Sequence, residues 1–386
     1  EQYNLRYNGS EQGLTSDYIL SITEDNYGNI WVGSEYAGIT KIRPKQFNIL
    51  TVKPEETTTL GASNNVRMIY EDDLGHIWIG TKNGSLYIYD NTLKQILFNL
   101  KGINPYCLLD DKKGNIWIGT KGNGILVYDK KTMKQIAHYK SILNKPNNLC
   151  HNSVFSMIMD RNNNIWIGTF GGGLDLVNQD KNGEVTFKHF FNNGDNKSFI
   201  RSLFEDHSGN IWMGTYDGLI GFVPNELMAD ANDYIHYQYD KSNLNGLNCK
   251  DIKVIYEDNN NQLWLGTAGG GLNKLTFING KAHFDKYTTE DGLPSDIVVS
   301  LISCNDSTLW IGTENGLALI NMNTNTISNY LFTNNIHGNF FNDNATLKRS
   351  NGHLLWGTLN GLLGFDPESL NHQTTKPKPI ITSLTI

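Results

Sequence analysis

The sequence predicts an all-β protein, a single β-propeller of eight four-stranded blades, and three observations carry that expectation. A stretch first written EDNYGNIWVGS (24–34) returns as EDDLGHIWIGT (71–81), DDKKGNIWIGT (110–120), MDRNNNIWIGT (159–169), EDHSGNIWMGT (205–215), EDNNNQLWLGT (257–267), SCNDSTLWIGT (303–313) and KRSNGHLLWGT (348–358). Its glycine recurs every 39 to 52 residues, the period of a repeat architecture. Around each copy lie short β-branched and aromatic runs bounded by turn residues, too short for helices.

Each repeat reads as four strands in order. The first is a run such as 18–23 or 66–70. Asp-x-x-Gly follows, as in Asp25 to Gly28, Asp72 to Gly75, Asp111 to Gly114 and Asp206 to Gly209. Asp opens a type I turn and Gly takes the left-handed position, which closes a hairpin. Asn163 and Asn261 hold the Gly place in repeats four and six, and Asn tolerates that backbone well. Ile-Trp-Ile-Gly-Thr is the second strand. Its apolar residues do not alternate with polar ones, so both its faces are expected to be buried between blades. One buried Trp removes roughly 150–250 Å² from water, ~4–6 kcal/mol gross at about 25 cal/mol per Å². A Gly-rich turn leads to a third strand such as 174–177, and a more polar fourth, such as 186–190, closes the unit. Repeat eight departs, with Leu355 in the Trp place and Trp356 one later. Repeat seven has Cys304 and Ser307 where the turn's Asp and Gly would stand.

Residues 3–8 precede the first motif and read as an orphan fourth strand, while repeat eight lacks its own. The expectation is that this N-terminal strand completes the last blade and removes its open edge. The alternative is a seven-bladed ring with one stray unit. Residues 1–372 are assigned to the propeller, and 373–386 to a linker and the first strand of a following β domain, which the resemblance described below implies is a β-sandwich. The link 100–104 is nearly bare, which should leave a notch in one rim. Residues 224–231 form an insertion that reads as a short surface helix.

The formal net charge of −7 argues against nucleic acid or an anionic membrane as partner. No stretch has the apolar length of a transmembrane helix. With no initiator Met and no signal peptide, the chain reads as processed or excised from something longer. Cys107, Cys150, Cys249 and Cys304 show no CxxC spacing, so four free thiols and no metal site are expected. No nucleophile elbow, HExxH, Walker loop or EF-hand pattern occurs. Glycine turns such as 119–124 join two strands and open no helix, so they read as blade turns. The Asp-x-x-Gly-x-x-Trp hairpin is similar to the Asp box of sialidases, but its turn is one residue longer and the leading Ser is missing. No arginine cluster or acid pair supports a glycosidase.

The unit E-D-x-x-G-N-I-W-I-G-T-x-x-G-G-L resembles the regulator-propeller repeat of Bacteroidetes-type hybrid two-component sensors. Residues 291–295 (DGLPS) and 360–367 (NGLLGFDP) resemble the last repeats before that family's membrane-proximal β-sandwich. The resemblance implies a periplasmic sensor region of an inner-membrane histidine kinase. It further implies an oligosaccharide ligand derived from polysaccharide breakdown, with a second propeller and the β-sandwich of the same sensor as partners. A homodimer in the full-length form, no direct membrane contact, no cofactor and no catalysis by this chain complete the expectation. The rivals are a scaffold or dimerisation propeller and a carbohydrate-active enzyme.

The ligand is expected where loops on a rigid ring gather. The loops between second and third strands carry Tyr36, Lys82, Lys121, Phe170, Tyr216 and Glu314, and the inner strands begin near Arg67, Tyr106, His151, Arg201 and Lys253. Aromatic faces stack on sugar rings, and cationic side chains hold anionic groups. The candidate ligand-binding set is therefore Tyr36, Arg67, Tyr106, His151, Phe170, Arg201, Tyr216 and Lys253. An anionic or otherwise polar oligosaccharide is expected, off-centre over repeats two to six.

Overall fold

The computed structural model describes residue 16 and residues 18–25, 30–36, 38–42, 48–50, 64–229, 233–330 and 340–370. The chain divides into two compact units, Ile49–Gly364 and a smaller one made of Glu1–Asn48 with Phe365–Ile386. Each blade or sheet is numbered here by its repeat.

The larger unit is a ring of seven blades, numbers 2 to 8. Their innermost strands are Val66–Glu71, Pro105–Asp110, Val154–Met159, Ile200–Glu205, Ile252–Glu257, Val298–Asn305 and Phe341–Lys348. Each lies beside the next, and Phe341–Lys348 lies beside Val66–Glu71, so the ring closes on itself. Blade 8 consists of Phe341–Lys348, Leu354–Thr358, Gly361–Phe365 and Asn48–Leu50. The strand that completes it thus comes from the N-terminal side, as expected, but from Asn48–Leu50. Residues 3–8 lie outside the described residues.

The repeat motif explains both the blades and their spacing. The second strand Ile77–Thr81 is buried at every position, as are Ile211–Thr215 and Leu263–Thr267. The motif glycine lets the next blade approach. A Cβ on Gly168 would stand 2.7 Å from Ile200, and one on Gly357 would stand 2.4 Å from the Val66 carbonyl oxygen. The buried motif Thr donates its hydroxyl to a carbonyl across the following turn, as Thr169 does to Gly173 at 2.8 Å. The aspartate accepts from two turn amides and from the indole. In blade 5, Asp206 takes the N–H groups of Ser208 and Asn210 and Trp212 Nε1 at 2.8–2.9 Å. This carboxylate is a structural acceptor, which supplies the physical reason for the Asp-x-x-Gly-x-x-Trp spacing. Asn163 and Asn261 have φ of 63° and 59°, as the turn reading requires. The Trp ring then packs near an aromatic of the fourth strand, Trp117 on Tyr139 and Trp264 on Tyr287.

Seven of the eight tryptophans, from Trp78 to Trp356, are 6% exposed or less. Trp31 departs from the expected burial. It stands in the smaller unit, in a three-stranded sheet of Ile19–Glu24, Ile30–Ser34 and Gly38–Ile42, and is half-buried. Tyr18, Leu20, Ile22 and Ile39 of this unit are each more than 65% exposed. The motif is intact there and Trp31 still donates to Asp25 at 2.8 Å. Its sheet has three strands where each blade of the larger unit has four. The predicted surface helix is present as Pro224–Ala229. No helix among the described residues is long and apolar enough to cross a membrane.

Candidate functional site

Every innermost strand of blades 2 to 7 carries an irregularity at the same place. Val66 pairs with Thr81 and Met68 with Gly80, which leaves Arg67 unpaired between them. The same slip isolates Tyr106, Phe155, Arg201, Lys253 and Val299. A bulge of this kind re-aims one side chain. In blade 8 the slip is longer, between Phe341 and Thr346, and it contains Asp343.

These residues come together from different blades. Lys253 Nζ, on blade 6, lies 2.8 Å from Asp343 of blade 8. Arg201, on blade 5, lies 3.5 Å from the same carboxylate and holds Asp251 through two bonds of 2.6 and 3.0 Å. Arg201 also donates to the Tyr216 hydroxyl at 2.9 Å and stands over the Tyr216 ring at 4.6 Å. Burial opposes the charge on Arg201, but Asp251 and then Asp343 outweigh it and hold its pKa above the ordinary value. Arg67 lies over the Tyr106 ring at 5.3 Å. Burial, and next the charge of Asp343, push the Tyr106 phenol up.

The aromatic residues form a continuous wall. Tyr106 stacks on Phe155 at 4.1 Å and Phe155 on Phe170 at 4.5 Å. Phe170 meets Tyr216 edge-on at 5.3 Å. Ring faces spent on one another do not offer sugar platforms, so these side chains stiffen one side of the mouth. Beside it lies a cavity of about 320 Å³ lined by Arg67, Tyr106, Lys253, Glu314 and Asp343, with Phe340, Phe341, Asn342 and Leu359.

The structure therefore gathers Arg67, Tyr106, Phe170, Arg201, Tyr216 and Lys253. His151 lies against Gly171 on the loop before its strand, where Nδ1 accepts the Ser153 amide at 3.1 Å. Tyr36 belongs to the smaller unit and is 82% exposed. Lys82 and Lys121 are exposed. Sequence reasoning missed Phe155, Asp251 and Asp343. Phe155 had a signal: it stands thirteen residues before Gly168, as Arg67 does before Gly80 and Arg201 before Gly214. The longer slip in blade 8 breaks that count for Asp343.

The comparisons agree with this architecture. The two-component regulator propeller family matches residues 13–36, 61–83, 99–122, 148–171, 194–217 and 246–269. The extracellular domain of a hybrid two-component system from B. thetaiotaomicron superimposes with a TM-score of 0.73, at 23% identity over 94% of this chain and 47% of that one. A second such domain from the same organism gives 0.65 at 22% identity, over 98% and 49%. At these identities the likeness establishes the fold. Histidine kinase P4 of Formosa agariphila is 25% identical over 137 residues, which are 35% of this chain and 10% of that protein. The chain thus spans about half the length of these two extracellular domains, and its match to the kinase covers a tenth of that protein.

Proposed function

From a chain built of two-component regulator propeller repeats, we propose a ligand-sensing region of a periplasmic hybrid two-component sensor that binds an oligosaccharide at the mouth of the ring and signals to a transmembrane histidine kinase. The observation that carries this reading is the convergence of Arg67, Arg201, Lys253 and Asp343, from blades 2, 5, 6 and 8, on one mouth. A site assembled from separate blades responds to small changes in their packing, as a sensor requires. It holds three cations, with Asp251, Glu314 and Asp343 as three carboxylates. That balance suits a neutral, hydroxyl-rich ligand, because each hydroxyl both donates and accepts. Nothing in the arrangement presents an activated nucleophile, and binding without turnover is the expected behaviour.

The smaller unit supports a second element of the reading. Its sheet exposes Tyr18, Leu20, Ile22 and Ile39 and carries the motif of a blade. We assign it to contact with a second propeller of the same sensor. A β-sandwich following residue 372 and a homodimer of the whole sensor belong to the same proposal. The test is a glycan array followed by calorimetry and product analysis on this chain. Saccharide binding without product supports the sensor, product formation supports an enzyme, and the absence of both supports a scaffold.

A further inference from the structure

We propose that Cys150, Asp175 and His189 form a binding site for one divalent transition-metal ion, zinc being the cation whose chemistry fits best. The three are far apart in sequence, and the absence of ligand spacing gave no reason to expect them together. Blade 4 brings one ligand atom of each within 4.8 Å of the others.

The fold accounts for the placement. Asp175 on Gly173–Gln179 is the register partner of His189 on Val185–Phe190. Cys150 lies on the loop before Val154–Met159, and its backbone N–H donates to Asp175 Oδ2 at 2.8 Å. His189 Nδ1 lies 2.6 Å from Asp175 Oδ1. Zinc bonds of about 2.0–2.3 Å to N, O and S in tetrahedral array put ligand atoms roughly 3.3–3.8 Å apart. The widest separation has to close by about 1 Å at most, and the 2.6 Å pair of His189 and Asp175 has to open by roughly 0.7 Å, to reach that range. His189, with 24% of its side chain exposed, leaves the fourth position open to solvent.

Charge favours the same conclusion. Asp175 is fully buried. A carboxylate and a thiolate together match a dication, so the loaded site is neutral, as a buried site should be. On binding, the sulfur–metal bond forms and the thiol proton leaves to solvent, while the hydrogen bond from His189 Nδ1 to Asp175 breaks, the imidazole proton moves to Nε2 by exchange with solvent, and Nδ1 supplies the lone pair. Nothing is oxidised or reduced.

Blade 6 serves as an internal comparison. Cys150 stands eighteen residues before Gly168, and Asn248 eighteen before Gly266. Asp175 and Asn273 each follow that glycine by seven residues, and Asn273 is the register partner of Lys286 as Asp175 is of His189. In blade 6 these places hold two amides, joined by a 2.9 Å bond from Asn273 to Asn248, and a lysine. The scaffold therefore does not require ligating residues here, yet blade 4 has them at all three positions. A metal would tie the loop after Gln135–Tyr139 to the outer strands of blade 4.

Titration of the pre-reduced 386-residue chain with cobalt(II) tests the site. One equivalent should produce a thiolate-to-cobalt charge-transfer band and visible d–d bands, both discharged by zinc(II). C150S should abolish the charge-transfer band, H189N should weaken cobalt binding at least tenfold, and C249S should leave the spectrum unchanged. No thiolate band at saturating cobalt, or a band that survives C150S, overturns the proposal. These spectra do not depend on saccharide binding, so the two readings fail separately.

Discussion

Lys253 and Asp343 form a 2.8 Å ion pair although they are ninety residues apart and stand on blades 6 and 8. Blade 7 has the buried, apolar Val299 at the equivalent place and adds no charge there. Arg201 reaches the same carboxylate from blade 5. The mouth is thus braced by charges before any ligand arrives.

That bracing predicts a division of labour between two arginines. Arg201→Ala leaves Asp251 without its bidentate partner and Asp343 with one cation fewer. A buried pair broken on one side costs more than an exposed one, and the partial exposure here screens the loss. The expected destabilisation is about 1–3 kcal/mol. Arg67 meets Tyr106 but, among the described residues, no carboxylate within ion-pair distance, so Arg67→Ala should cost less than about 1 kcal/mol. Denaturant midpoints of the two variants measure the difference. Equal midpoints would show that the Arg201 network is not a brace.

Ring closure predicts a position where a single methyl group is not tolerated. A Cβ on Gly357 would meet the Val66 carbonyl oxygen at 2.4 Å and Ala345 at 2.8 Å. Gly357→Ala should force blades 8 and 2 apart and destabilise by about 1–3 kcal/mol or more. Gly102 has nothing within 4 Å of a built Cβ, and its φ of 80° limits the cost of an alanine there to local backbone strain. Unfolding followed by both far-ultraviolet dichroism and Trp fluorescence is the measurement. A Gly357→Ala variant as stable as the parent would place the seam elsewhere.

The packing of the tryptophans yields a graded pair. Trp117 is 6% exposed and packs on Tyr139, so Trp117→Ala should cost about 3–5 kcal/mol. Trp31 is half-buried in the three-stranded sheet of the smaller unit, and Trp31→Ala should leave the main transition nearly unchanged. Thermal melts of the two variants decide it, and a large shift for Trp31→Ala would show that the sheet of repeat 1 unfolds with the ring.

Acid stability should carry the signature of Asp110. Burial works against its ionised form, but the Lys112 amide and the Lys130 ammonium outweigh burial and hold its pKa below the ordinary value. Lys130 also pairs with Asp73 of blade 2, so the group joins two blades. For a depressed carboxyl, the stabilisation is present above the unfolded pKa near about 3.9 and is lost as pH falls through the folded value. Stability of the parent should therefore fall more steeply below about pH 4 than that of Asp110→Asn. Parallel slopes in urea titrations between pH 5 and 3 would contradict this.

Much of the fold was legible because its determinants are local. The turn Asp, its Gly or Asn, the Trp and the Thr satisfy one another within about ten residues, and each appears in the repeat. Which repeats share a ring is not local. The first repeat has the same motif as Trp78 or Trp117, yet its sheet is not among the seven blades, and the closing strand Asn48–Leu50 carries no motif. The site divides in the same way. Arg67, Tyr106, Arg201 and Lys253 follow from counting back from the motif glycine, and Phe155 follows from the same count applied strictly. Asp343 does not, because the longer slip in blade 8 shifts it. Nor does the pairing of Cys150, Asp175 and His189, which depends on the register of two strands and the loop before them.

The balance of charge at the mouth leads to a prediction about the ligand. Arg67, Arg201 and Lys253 face Asp251, Glu314 and Asp343, so an anionic sugar gains from one set and is repelled by the other. A neutral oligosaccharide meets no such conflict, and under the proposed function its hydroxyls would bridge Arg67, Lys253 and Glu314, which line the cavity. Charge-assisted hydrogen bonds are worth about 1.5–3 kcal/mol each, so Arg67→Ala and Glu314→Gln should each weaken binding roughly ten- to a hundredfold. Affinity for a neutral ligand should change little between low and high salt, whereas an anionic one would lose affinity as the screening length falls from about 10 Å toward 3 Å. Calorimetry with the best array glycan, at two salt concentrations and with both variants, separates these cases. A steep salt dependence with Glu314→Gln improving affinity would mean that the cations lead recognition and that the ligand is acidic. Affinity unchanged in both variants would remove this mouth as the sensing site.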